Sequence, residues 1–312
     1  MNTQLLEIQE TITKLRLQGL GITSKTDINA EIISRLFIPS FDVMADASGR
    51  FMADSTCCAR DFFHPEFKSI CSEIKAPLLF HRKVWEWVFI AYHLRGHGFL
   101  KPGMRGIGFG VGTESLPSFF ASLGVNVTAT DAPSEIGLSA GWKITSQFAN
   151  NLNDLYRADI VSRDQFEKHV SYATCDMNAI DDHFTGYDFC WSSCCFEHLG
   201  NLRKGLDFVA NSVEKTLKIG GIACHTTEFN MSSNDQTIED GSCVLYRRCD
   251  IEAFIKEMSE RGHKVEPFSI AADTHILDSY VDIPPYSHNP HLKLKLMDYI
   301  STSVGLVITR GI

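Results

Sequence analysis

No run of basic residues in this chain exceeds two, and 29 Lys and Arg stand against 38 Asp and Glu, a net charge of −9. A protein that grips nucleic acid through its phosphates needs a basic footprint, so a nucleic-acid partner is disfavoured. Long apolar runs are missing as well. The longest, Val84 to Tyr92, is broken by Glu86 and is far too short to span a bilayer. The opening residues MNTQLLEIQETITKL alternate polar and apolar side chains and contain no signal-peptide core. A soluble, cytoplasmic chain without a membrane span is therefore expected. Cysteine is plentiful, at 10 residues, but no C-x-x-C pair occurs. Several cysteines lie in strand-like runs such as YDFCWSSCCF and GGIACHTTEF, where Cys behaves as a small hydrophobe. They read as buried free thiols of a reducing compartment. Cys57, Cys58, His64 and Cys71 form the one cluster able to hold zinc, and their spacing fits no common template. No metal is expected.

What is present is ordinary globular material, 44% apolar and 21% charged over 312 residues. That length suits one large α/β domain with an appendage, or two small domains. Residues 1–75 differ in texture from the rest. Leu5, Ile8, Ile12 and Leu15 recur at helical spacing, as do Ile28, Ile32 and Leu36, and an irregular stretch with several Phe follows between Pro39 and Pro65. This segment reads as a helical cap or lid. A long helix is expected from Ala76 to Gly98, with Trp85, Val88, Phe89 and Tyr92 inward. From Met104 strand-like and helix-like runs alternate. Seven strands are expected, at 104–110, 125–131, 170–176, 187–193, 220–229, 264–270 and 303–309, with helices at 114–123, 144–156, 202–217 and 250–261. Short apolar strands separated by helices predict an α/β, doubly wound, mostly parallel sheet over residues 76–312. Residues 271–302 show no helical pattern before Lys293 and read as a long loop inserted between the last two strands.

The strongest signal is Gly106-Ile107-Gly108-Phe109-Gly110-Val111-Gly112-Thr113-Glu114, at the first strand-to-helix junction. Glycines there let the backbone approach a ligand at a helix N-terminus. A dinucleotide fingerprint needs G-x-G-x-x-G, and the third glycine is Thr113 or Ser115 in the two possible frames, so nicotinamide chemistry is disfavoured. Asp131 follows Gly112 by 19 residues at the end of the second strand, where an acid can hydrogen-bond a ribose. With these residues the chain resembles the class I S-adenosylmethionine-dependent methyltransferases. RGIGFGVG is similar to their first motif, TATD to the second, CDMNAID to the third, YDFCWSSCCFEHLG to the fourth, and LKIGGIACHTTEF to the strand that follows. The resemblance implies a Rossmann-like fold with S-adenosylmethionine as cofactor and S-adenosylhomocysteine as product. It implies that Gly108, Gly110 and Gly112 cradle the methionine end, that Asp131 binds the ribose, and that Asp176 and Met177 flank the adenine. Ser193, closing the fourth motif's strand, joins that set. Two positions depart from the pattern. Gly106 stands where an acid usually precedes the first glycine, so contact to the amino group must come from elsewhere, and Ile219 replaces a proline. The motif variants and the FHRKVWEW helix resemble methyltransferases of glycan and small-metabolite biosynthesis, which implies O-methylation of a saccharide or small metabolite.

Methyl transfer to a hydroxyl needs alignment, a dry site and removal of a proton. His198, just past the fourth strand, is the first candidate base, with a structural role equally open. His225 in the fifth strand and Glu228 at its end are the alternatives. Tyr280, Tyr286 and His291 in the late insertion are candidate acceptor-binding residues, and an ordinary surface loop is the competing reading. Arg82 and Trp85 are placed to close over the cofactor, although helix packing also accounts for Trp85. Trp142 is open to adenine stacking or to core packing. Amine, carboxylate or protein side-chain acceptors remain alternatives, as does an inactive cofactor-binding partner. A homo-oligomer is also open.

Overall fold

The computed structural model describes residues 50–133, 149 and 151–312. The helical spacing at 5–15 and 28–36, Trp142, and much of the helix expected at 144–156 lie outside the described residues. The described helices are Ala59–Phe63 (α1), Pro65–Ile74 (α2), Arg82–Gly96 (α3), Leu116–Ser122 (α4), Arg163–His169 (α5), Leu202–Asn211 (α6), Arg248–Glu260 (α7) and Ile276–Ser279 (α8). The strands are Arg105–Phe109 (β1), Asn126–Asp131 (β2), Val170–Thr174 (β3), Tyr187–Ser193 (β4), Gly200–Asn201 (β5), Leu217–Asn230 (β6), Asp240–Gly241 (β7), Lys264–Val265 (β8), Val281–Asp282 (β9), Lys293–Leu296 (β10) and Tyr299–Thr309 (β11).

Strands of the main sheet run in the order β3-β2-β1-β4-β6-β11-β10-β9, with β8 also paired to β11, nine in all. β5 and β7 make a separate two-stranded ribbon. From β3 to β6 every pairing is parallel, and β11 then runs antiparallel to β6. The expected α/β sheet is present, but seven strands understates it. The late insertion is not a loop outside the sheet. Lys293-Leu294-Lys295-Leu296 alternates with the period of a strand and turns through Met297-Asp298 into β11, pairing Leu296 with Tyr299. Conversely, the strand expected over 264–270 pairs at Lys264 and Val265, Glu266 N adds a bond to Val307 O (2.9 Å), and Pro267, whose ring fixes φ at about −65°, departs from strand geometry.

Side chains of the central strands alternate between two layers. Phe189, Trp191, Ile222, Cys224 and Val307 join one cluster with residues of α1 to α5, while Ile107, Cys190, Ala223, Leu306 and Ile308 join another with α6 and α7. Residues of the 50–75 stretch, among them Phe51, Phe62 and Phe67, belong to the first of these cores. Helix α3 begins at Arg82 rather than Ala76, since Pro77 disfavours helix before it and His81 caps the first turn by accepting a bond from Lys83 N. α3 lies across β4, β6 and β11. Because β1 is flanked by β2 on one side and β4 on the other, the strand order reverses there. A crevice opens at the carboxyl ends of such strands. Among the described residues no helix is long and apolar enough to cross a membrane.

Candidate functional site

A cavity of about 480 Å³ occupies that crevice. Its first wall is the turn after β1. Gly110 and Gly112 hold φ of 59° and 52°, the left-handed region where a side chain is strained. A Cβ on Gly110 would also meet Cys195 Sγ at 2.9 Å. Gly108 belongs elsewhere: it does not line the cavity, and a Cβ there would strike the Trp191 indole at 2.3 Å. Its smallness serves core packing.

Asp131, at the end of β2, is 4% exposed and lines the same cavity. Its carboxylate accepts from Gly112 N (3.1 Å), Ala132 N (2.8 Å) and Ala149 N (3.1 Å). Burial pushes it above the usual carboxylate range while these three N–H groups pull it back. Two carboxylate oxygens offer about four acceptor positions, so capacity remains for a ligand hydroxyl. Asp176 and Met177 after β3, and Ser193 at the end of β4, are on the cavity wall as well.

The opposite wall comes from α3. Glu86 is fully buried within its apolar run, where Oε1 accepts from Arg82 Nη1 (3.1 Å) and Cys194 Sγ (3.0 Å), and Oε2 from Lys83 Nζ (2.9 Å) and Ser193 Oγ (3.1 Å). Burial opposes its charge, yet Lys83 and Arg82 together hold its carboxyl down to about 2. Arg82 also pairs with Glu228. Arg82 lines the cavity, and its Nε is buried with no hydrogen-bond partner among the described residues. Trp85 does not close over anything: it is buried and donates Nε1 to Asp61 (2.8 Å), and Trp87 lines the cavity instead.

Of the proton-accepting candidates, His198 and Glu228 line the cavity and His225 does not. His225 is fully buried between Ser192 Oγ (2.7 Å from Nδ1) and Ser212 Oγ (3.0 Å from Nε2), and burial presses its imidazole down to about 3. It ties β4, β6 and the turn after α6 together. Tyr280, Tyr286 and His291 also stand off the cavity wall. His291 Nδ1 donates to Asp282 (2.7 Å), its ring stacks on His81 at 4.6 Å, and its carbonyl accepts from Arg82 N (3.0 Å). Tyr286 donates to Lys295 O (2.8 Å). The insertion thus buttresses the start of α3 and positions Arg82.

Residues missed in the sequence are Lys83, Glu86, Trp87, Glu114, Cys194 and Glu197. Cys194 adopts a φ of 47° immediately after β4, a strained turn at the cavity. Glu197 is 1% exposed, accepts from Thr227 Oγ1 (3.0 Å), and is pushed upward by burial, with nearby Glu228 adding to the shift and His198 opposing it. Among the described residues two groups bring three metal-type ligands within 4.8 Å, Cys194–Glu197–Glu228 and His81–His288–His291. The Arg82 guanidinium already serves Glu228, and the Nδ1 atoms of His291 and His81 are engaged with Asp282 and Lys83 N. The cluster Cys57, Cys58, His64 and Cys71 is not among these groups. All ten cysteines are free.

No protein-family model matches the sequence, and no curated protein matches it. Solved structures do resemble it. The methyltransferase domain of bacterial CtHen1-CN is 16% identical, with a TM-score of 0.43 over 70% of this chain and 95% of that one. An S-adenosylmethionine-dependent methyltransferase of Clostridium acetobutylicum is 14% identical, with a TM-score of 0.40 over 79% of this chain and 98% of that one. Magnesium protoporphyrin IX methyltransferase of Synechocystis PCC 6803, with bound SAH, is 13% identical, with a TM-score of 0.39 over 71% and 80%. Likeness at this level assigns no activity, which has to come from the site itself.

Proposed function

We propose that the chain is an S-adenosylmethionine-dependent methyltransferase whose acceptor is a hydroxyl of a saccharide or small metabolite. One observation carries the reading: the Gly110–Gly112 turn, strand-end Asp131 and the Asp176–Met177 pair line a single cavity at the point where the strand order reverses. The glycine turn gives a backbone cradle, Asp131 has acceptor capacity for ribose hydroxyls, and Met177 offers apolar surface beside Asp176 for a base. Bound there, S-adenosylmethionine supplies an activated methyl group for in-line displacement.

The chain's own task is to hold the acceptor and take its proton. His198 Nδ1 lies 2.6 Å from Ser242 O. A carbonyl only accepts, so Nδ1 carries the hydrogen and Nε2 is the basic atom. Nε2 lies 3.9 Å from Glu197 Oε1, where a carboxylate stabilises the imidazolium formed on proton uptake. A second reading, an amine acceptor, is favoured by the acidic side of the wall, Glu197 and Glu228.

The test is methyl transfer from tritium-labelled S-adenosylmethionine to panels of saccharides and of amines. A saccharide should be labelled, and His198→Ala should lower turnover by ~10²–10⁴-fold while S-adenosylhomocysteine affinity holds. Labelling of amines alone, or normal turnover in the variant, contradicts the hydroxyl-and-base reading.

A further inference from the structure

We propose that Glu114 is the carboxylate that meets the α-ammonium of the cofactor's methionine moiety, an inference that rests on the methyltransferase reading above. The position two residues before Gly108, where the resemblance implies an acid, cannot do this. It is Gly106, and a Cβ there would lie 2.2 Å from Phe189 Cζ, so the packed core excludes an acidic side chain. Of the other acids on the cavity wall, Asp131 accepts from three backbone N–H groups, Asp176 from Asn178 N, Glu228 from Ser301 while pairing with Arg82, and Glu197 from Thr227 with His198 nearby.

Glu114 is a further acid on that wall. It follows the glycine turn directly, lines the cavity and is 7% exposed. Trp191 Nε1 donates to its Oε1 at 2.7 Å. From α3, Lys83 and Trp87 favour its ionised form and Glu86 opposes it. Burial outweighs all of these and pushes its carboxyl up to about 7. A carboxyl so placed holds a proton near neutral pH until a cation arrives. An incoming ammonium replaces that proton: the carboxyl releases H⁺ to solvent and the carboxylate accepts the ammonium's N–H. Trp191 takes one acceptor position of Glu114, and a carboxylate has others to offer an ammonium.

Calorimetry with two thioether ligands tests this without an acceptor. S-adenosylhomocysteine carries the amino-acid moiety, and 5′-methylthioadenosine has the same adenine, ribose and sulfur without it. For the wild type, S-adenosylhomocysteine affinity should rise between pH 6 and pH 8, and buffers of different ionisation enthalpy should report proton release. Methylthioadenosine should show neither effect. Glu114→Gln should weaken S-adenosylhomocysteine by ~10-fold or more, flatten its pH dependence and leave methylthioadenosine unchanged. Equal pH dependence for both ligands, or a variant that binds S-adenosylhomocysteine like wild type, overturns the inference. If the variant misfolds, the wild-type comparison of the two ligands decides alone. Failure of the wild type to bind either ligand overturns the methyltransferase reading itself, and this inference with it.

Discussion

Glu86 sits in the most apolar stretch of the chain, between Trp85 and Trp87, and there it is the hub of a buried charge network. Sequence reading registers it as an interruption of a hydrophobic run. An ionisable residue amid buried apolar neighbours signals a paired and functional group, and that signal was available. Its partners were not. Ser193, Cys194 and Ser303 lie more than a hundred residues away, and only the fold brings them to α3. The glycine turn, Asp131, Asp176 and His198 were legible because each follows a strand end, a place that local pattern identifies. His225 shows the opposite error. It lies within a strand whose alternation aims it at the core, so being near the motif did not bring it to the cavity. His225→Ala should therefore cost ~2–4 kcal/mol of stability, through lost packing and two hydroxyls deprived of a partner, and leave S-adenosylhomocysteine affinity of the folded protein intact. Urea denaturation and calorimetry check both parts. Loss of turnover at unchanged stability would instead restore a chemical role.

At the level of elements, the parallel strands were readable because each is a short apolar run flanked by helical patterns. The antiparallel edge was harder. Lys293–Leu296 carries strand alternation for only four residues, and its pairing with β11 depends on a turn at Met297, whose φ of 51° no residue type announces. Docking of α3 has a sequence trace in Gly305. Its Cβ, if present, would fall 2.2 Å from Phe89 Cζ, so β11 needs a bare backbone where the helix crosses. That close approach carries Arg82, Lys83 and Trp87 to the cavity. Gly305→Ala should lower stability by ~1–3 kcal/mol by forcing α3 away from the sheet. An unchanged denaturation midpoint would show that α3 yields without strain.

For the molecule as a whole, the two halves of the cavity come from unlike sources. The glycine turn and β2 end belong to the parallel core, whereas α3 and the late insertion that props it supply charge from the other side. Residues 271–302 read as an acceptor-binding loop, yet Tyr280, Tyr286 and His291 stand off the cavity wall, and His291 meets the start of α3 at His81 and Arg82 N. On the proposed reading the crevice at β1 takes S-adenosylmethionine, with Asp131 on its ribose. Calorimetric titration of the full chain with S-adenosylhomocysteine and, separately, with NAD⁺ tests it most directly. One S-adenosylhomocysteine should bind per chain, NAD⁺ should not bind, and Asp131→Ala should weaken S-adenosylhomocysteine by ~10–150-fold. Binding of NAD⁺ in its place, or an Asp131→Ala variant with wild-type affinity, would contradict the claim.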